Sequence, residues 1–168
     1  PGSPYAKRIK GIHVVLERVA NTVRNSLKNN EFPIVLAGDH STAAGTISGI
    51  KLAHPKQRIG VIWIDAHADL HSPWTTPSGN MHGMPLAAVL GEDNAQNKMN
   101  KPDKETLDWW NKVKRIGNIY PKIDYRDLVF ISLRDVEPEE QYLLKKHKVK
   151  IFSSAEVKRN GVEKIARD

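Results

Sequence analysis

The chain has 168 residues, 39% of them hydrophobic and 27% charged, with no cysteine and a formal net charge of +7 at pH 7. That length and balance predict one globular domain able to bury a core and exclude a disordered chain. The lack of cysteine excludes a disulfide framework and thiolate metal ligands and is compatible with a cytoplasmic location, while the short apolar runs exclude a membrane span.

The basic surplus does not read as a nucleic-acid surface. Lys7, Arg8, Lys10, Lys98 and Lys101 are scattered without interleaved aromatic residues, so no nucleic-acid partner is expected. The densest basic cluster, 145–150, reads as the solvated end of a helix entering a strand. Residues 1–10 do not read as a signal peptide.

In chain order, Ile9, Ile12, Leu16, Val19, Val23 and Leu27 recur at three- and four-residue steps and predict an amphipathic helix over about residues 5–29. Residues 33–37 predict a short buried strand, followed by a helix capped by Ser41 or Thr42 and running to Ala53. Within it, Gly45 and Gly49 are a small-residue pair suited to close packing. Residues 58–65 predict a second strand, apolar on both faces. A polar loop over 70–81 leads to a helix starting near Gly83 with Pro85 in its first turn.

Residues 92–105 have no apolar period and predict a surface excursion. A short helix over 106–115 follows, then a strand over 128–133, a helix over 138–146 and a strand over 149–152. A last helix begins near Gly161 and reaches Asp168 without a C-terminal cap, the pattern expected of a domain cut before its end. Continuous apolar strands alternating with helices predict an α/β fold with a mainly parallel sheet covered on both faces, and a single, incomplete domain over 1–168. Trp63, Trp74, Trp109 and Trp110 read as packing or loop anchors.

The chemistry concentrates at strand ends. Asp65, His67 and Asp69 alternate with two alanines at the end of the second strand. In extended chain the first and third would lie about 13 Å apart at ~3.3 Å per residue. The chain must therefore curl off the strand there, or the side chains must serve more than one ion. His40 follows the tight turn at Gly38, and 134–140 follow the third strand. In open α/β sheets the carboxyl ends of strands open onto one edge, so these segments are expected to converge. A cysteine-free His and carboxylate set suits manganese, iron or zinc, with carboxylates shifting the balance toward manganese.

Taken together, Ala37-Gly38-Asp39-His40-Ser41, Asp65-Ala66-His67-Ala68-Asp69, Ser78-Gly79-Asn80-Met81-His82-Gly83 and Leu133-Arg134-Asp135-Val136-Glu137-Pro138 resemble the arginase family of ureohydrolases in order and spacing. The resemblance implies a three-layer α/β/α fold and a site holding two Mn²⁺ ions. It implies hydrolysis of L-arginine to L-ornithine and urea by a metal-bridging hydroxide in the complete enzyme. By position it makes His40, Asp65 and Asp69 ligands of one ion and His67 with the shared Asp65 ligands of the other. Asp69 is also counted with His82 in the catalytic set, His82 as the proton shuttle, since imidazole as a class titrates near neutral pH.

The family's two further aspartate ligands, in a Ser-x-Asp-x-Asp motif, do not occur in these residues. Thr76, Ser78 and Asn80 are neutral donors for a substrate carboxylate, while Glu137 and Glu140 offer negative charge to an α-ammonium. His71 stands where the family usually has Asn and Glu137 where it usually has Asp, both near the expected amino-acid head group. Arg134 and Asp135 read as a structural pair. The small-molecule partner is an amino acid, and the resemblance implies a trimeric or hexameric assembly. Two alternatives are a sibling ureohydrolase acting on another guanidino or formimino acid, and a catalytically incomplete core with at most one partly formed metal site.

Overall fold

The structure, a computed structural model, describes residues 3–168. The chain divides into two compact units, Pro1–Gln57 with Asp69–Lys122 and Arg58–Ala68 with Ile123–Asp168.

The first unit is helical. Helix α1 (Ile9–Lys28) buries Ile9, His13, Leu16, Ala20 and Val23; Ile9, Leu16 and Val23 belong to the stripe predicted by the three- and four-residue steps, whereas Ile12, Val19 and Leu27 are half-buried. It packs against α2 (Ala43–Ala53). The approach is close because two glycines allow it: a Cβ on Gly45 would lie 2.8 Å from the Leu16 carbonyl, and one on Gly49 2.5 Å from that of Ala20.

The start of this second helix differs from expectation. Neither Ser41 nor Thr42 caps it; Asp39 accepts the Ser41 amide at 2.9 Å and the Ser41 hydroxyl at 2.5 Å, which opens a 3-10 turn (His40–Thr42) ahead of α2. Helix α3 (Pro85–Leu90) carries its proline at the first position and is buried throughout. Helix α4 (Lys104–Lys114) begins at Asp103, whose carboxylate accepts the Thr106 amide at 2.7 Å, and buries Trp110 and Val113.

The predicted strand over 33–37 does not form. Residues 31–37 run without regular pairing, with Phe32 at 89%, Ile34 at 79% and Leu36 at 95% exposure. The local pattern is strand-like, but a strand exists only when a neighbour takes its amides and carbonyls. Among the described residues, none fills that role here.

The second unit holds a parallel sheet of β1 (Val61–Ile64), β2 (Leu128–Leu133) and β3 (Lys150–Ser153), in that order. Val61, Trp63, Leu128, Phe130 and Phe152 are buried, the alternate positions that share a face. The expectation that β1 would be buried on both faces fails, because Ile62 and Ile64 are 67% and 71% exposed. In β2, Ser132 takes a left-handed backbone (φ 70) at an irregularity in the pairing with β3.

Helix α5 (Pro138–Lys146) starts and ends where the sequence predicts. The end of the chain holds two helices rather than one, α6 (Ser154–Asn160) and α7 (Val162–Arg167). Ser153 and Glu156 form the capping box that starts α6, a signal present in the sequence as Ser-Ser-Ala-Glu. The fold is α/β, and among the described residues no helix is long and apolar enough to cross a membrane.

Candidate metal and substrate site

Strand β1 ends at Ile64, and the chain curls off it, the first of the two alternatives the spacing left open. Asp65 Oδ1 accepts the His67 amide at 2.8 Å, a tight turn closed by the carboxylate itself. The same oxygen lies 3.3 Å from His67 Nδ1. Two consecutive amides at the end of β2, those of Arg134 and Asp135, both donate to the Ala66 carbonyl at 3.0 and 2.9 Å. The turn bearing Asp65 and His67 is thereby fixed to the segment after β2. Asp135 faces His67 Nε2 at 3.7 Å, pairing with this imidazole rather than with the Arg134 expected from sequence.

Asp69 completes the curl with a left-handed backbone, φ 51, a conformation that Asp tolerates better than most residues. It belongs to the first unit, as does His40. Asp69 is buried at 6% exposure, and its Oδ2 lies 2.8 Å from His40 Nδ1. The distance suits an ion pair, yet this buried oxygen receives no hydrogen bond. Leaving a buried carboxylate oxygen without a donor is costly. Two ligand atoms at right angles around one divalent ion would lie about 3 Å apart. The donor set, the 2.8 Å spacing and a buried carboxylate oxygen that receives no hydrogen bond therefore fit a metal ligand pair.

The substrate-reading candidates of the first unit lie on one loop. His71 is buried; its amide donates to the Gly83 carbonyl at 3.0 Å and its Nδ1 lies 3.2 Å from Thr75 Oγ1. Thr76, 3% exposed, accepts the Gly79 amide on its hydroxyl oxygen at 2.8 Å. Ser78, exposed, accepts the Asn80 amide in the same way at 3.2 Å. In both residues a backbone N–H occupies the oxygen, so the hydroxyl hydrogen remains to be donated.

Asn80 Oδ1 accepts from Lys7 Nζ at 3.3 Å, leaving the amide N–H₂ of Asn80 as the available donor. Gly79 has φ +72, and a Cβ there would meet the Pro4 carbonyl at 1.8 Å, so the turn requires glycine. His82 is exposed in the 3-10 turn Met81–Gly83, which packs against the turn carrying His40.

In the second unit Glu137 and Glu140 form the capping box of α5. The Glu137 side chain accepts the Glu140 amide, and Glu140, 1% exposed, accepts the Glu137 amide at 3.3 Å. The sequence predicts the helix from Pro138 but assigns both glutamates to an ammonium; with Glu rather than Ser or Thr at the cap position, the box carries no usual sequence signature.

The profile described as the arginase family matches residues 6–168. Human Arginase-1 is 39% identical over 168 residues, covering 99% of this chain and 48% of the human protein. The arginase of Emericella nidulans is 36% identical over 162 residues, covering 95% of this chain and 46% of its own length. Among solved structures, the arginase from Bacillus caldovelox superposes with a TM-score of 0.82 at 34% identity, over 98% of this chain and 49% of that one. Entamoeba histolytica arginase in complex with L-ornithine gives 0.82 at 29%, over 98% and 50%. The chain thus spans about half the length of the relatives it matches.

Proposed function

The chain belongs to the arginase family, and on that premise we propose that the protein containing it hydrolyses L-arginine to L-ornithine and urea with two manganese ions. The observation that carries this reading is the buried Asp69 Oδ2, which receives no hydrogen bond and lies 2.8 Å from His40 Nδ1. By family position, His40, Asp65 and Asp69 are assigned to one ion and His67 with the shared Asp65 to the other. When bound, the ions supply the Lewis acidity that makes a water nucleophilic near neutral pH.

The remaining steps belong to side chains. Asp65, held by the His67 amide, keeps its carboxylate in one orientation. Thr76, Ser78 and Asn80 each have a donor available and are assigned to the substrate carboxylate. Glu137 and Glu140 are assigned to the α-ammonium, so the two charged ends of an amino acid are read by different segments. Positioning of this kind converts binding energy into orientation of the guanidinium carbon. His82, exposed next to the His40 turn, is assigned the proton delivered to the departing amine. His71 replaces an amide by an imidazole and Glu137 lengthens a carboxylate by one methylene, changes confined to head-group recognition. The L-ornithine of the Entamoeba complex is the product that this reaction would release.

The full-length protein is expected to release urea from L-arginine in a Mn²⁺-dependent manner and to lose this activity in Asp65→Ala. Agmatine, which lacks the carboxylate, is expected to be at least about tenfold poorer, because the donors facing that group go unmatched. Undiminished turnover by Asp65→Ala would contradict the reading; preference for a formimino acid would reassign the protein to a sibling activity.

A further inference from the structure

Residues 92–100 have no hydrophobic pattern, yet they hold the candidate carboxylate-reading loop from behind. The Asn100 side-chain amide donates to two carbonyls of that loop, Thr76 at 2.8 Å and Pro73 at 3.2 Å. The backbone amides of Met99 and Asn100 both donate to the carbonyl between them in sequence, that of Trp74, at 2.9 and 3.0 Å. Ser72, at the start of the loop, donates its hydroxyl to the Asp93 carbonyl at 2.5 Å.

The support is itself anchored in the core. Asp93 Oδ1 accepts from Trp110 Nε1 at 2.7 Å and from Lys114 Nζ at 2.6 Å, both on α4. Asn94 is fully buried; its amide donates to Glu92 Oε1 and its side-chain oxygen accepts from Asn97 Nδ2, each at 2.7 Å. Two sets of hydrogen bonds therefore hold the loop: Asp93, anchored on helix α4, accepts the Ser72 hydroxyl on its carbonyl, and Asn100 donates to the carbonyls of Pro73 and Thr76, the Thr76 hydroxyl in turn accepting the Gly79 amide.

We propose that Asn100 is a positioning residue for recognition of the substrate carboxylate, acting through Thr76 and Ser78. This rests on the functional reading above, in which that loop meets the carboxylate. The chemistry selects a primary amide at this position: one planar N–H₂ group serves two carbonyls at once, whereas Asp has no donor and would set its charge against both carbonyl oxygens. Losing both bonds leaves the Thr76 carbonyl without its side-chain donor, while its amide stays on the Ser72 carbonyl, and the placement of the Thr76 and Ser78 hydroxyls loosens. Asn100 is only half-buried, so its replacement does not open the core.

The test is steady-state kinetics of the full-length, manganese-loaded protein with Asn100→Asp and Asn100→Ser. For Asn100→Asp, KM for L-arginine and the inhibition constant of L-ornithine are expected to rise together by about tenfold, with kcat within about threefold and manganese content unchanged. Asn100→Ser, which keeps one donor, should fall between that variant and wild type. Parallel loss of kcat and metal, or unchanged KM, would overturn the proposal while leaving an arginine-hydrolysing wild type intact. A wild type inactive on L-arginine would instead overturn the functional reading and, with it, the carboxylate role of Asn100.

Discussion

Lys122 carries an ammonium into the interior of the first unit, where it is 3% exposed and donates to the carbonyls of Lys114 at 2.6 Å and Ile119 at 3.2 Å. Burial lowers its pKa to about 8 from 10.5. A lysine whose folded pKa lies below its unfolded value binds fewer protons when folded, so folding stability rises with pH between about 8 and 10.5. Urea denaturation should show a gain on the order of 1–2 kcal/mol between pH 7.5 and 9.5, and Lys122→Met should lack it; equal slopes in both proteins would contradict this account. Residue-scale roles were unevenly legible. His40, Asp65, His67 and Asp69 are visible in the sequence as a metal-competent set, because their types and spacing form a compact motif at strand ends. Asp39 as a cap, Lys122 as a buried donor and Asn100 as a brace were silent, since each depends on partners distant in sequence or on burial that no local pattern reports.

Helices α1 and α2 meet through glycine. The Cβ of Gly49→Ala would sit 2.5 Å from the Ala20 carbonyl oxygen and 2.8 Å from Val23 Cβ, so backbone must shift, and the gain in helix propensity of about 1 kcal/mol does not compensate. The variant is expected to lose about 1–3 kcal/mol in chemical denaturation; an increase in stability would show that the helices can separate freely. Elements whose signal is internal were legible: α1 from its apolar stripe, α5 from a proline at its first turn, β2 from its apolar run. Residues 33–37 carry the same kind of run and remain unpaired, because a strand is defined by a neighbour rather than by its own sequence. The excursion over 92–105 lies largely at the surface, as its sequence predicts. It lacks periodicity, yet holds buried Asn94 and the hydrogen bonds to 73–76.

At the scale of the whole chain, the family is fixed by a match over residues 6–168 and by relatives of about twice this length. The chain passes from one compact unit to the other within the pentad, Asp65 and His67 in the second and Asp69 in the first. The α/β class was legible because parallel strands need helical crossovers, which the sequence displays as alternating periods. The division into two units was not, since it depends on which long-range contacts each segment makes. The central claim is that this pentad and His40 hold manganese, and the direct measurement is titration of the metal-depleted full-length protein with Mn²⁺, followed by electron paramagnetic resonance. Wild type is predicted to take up two ions, with affinity falling on the order of tenfold or more in His40→Ala and in Asp69→Ala; unchanged Mn²⁺ affinity in both variants would contradict it.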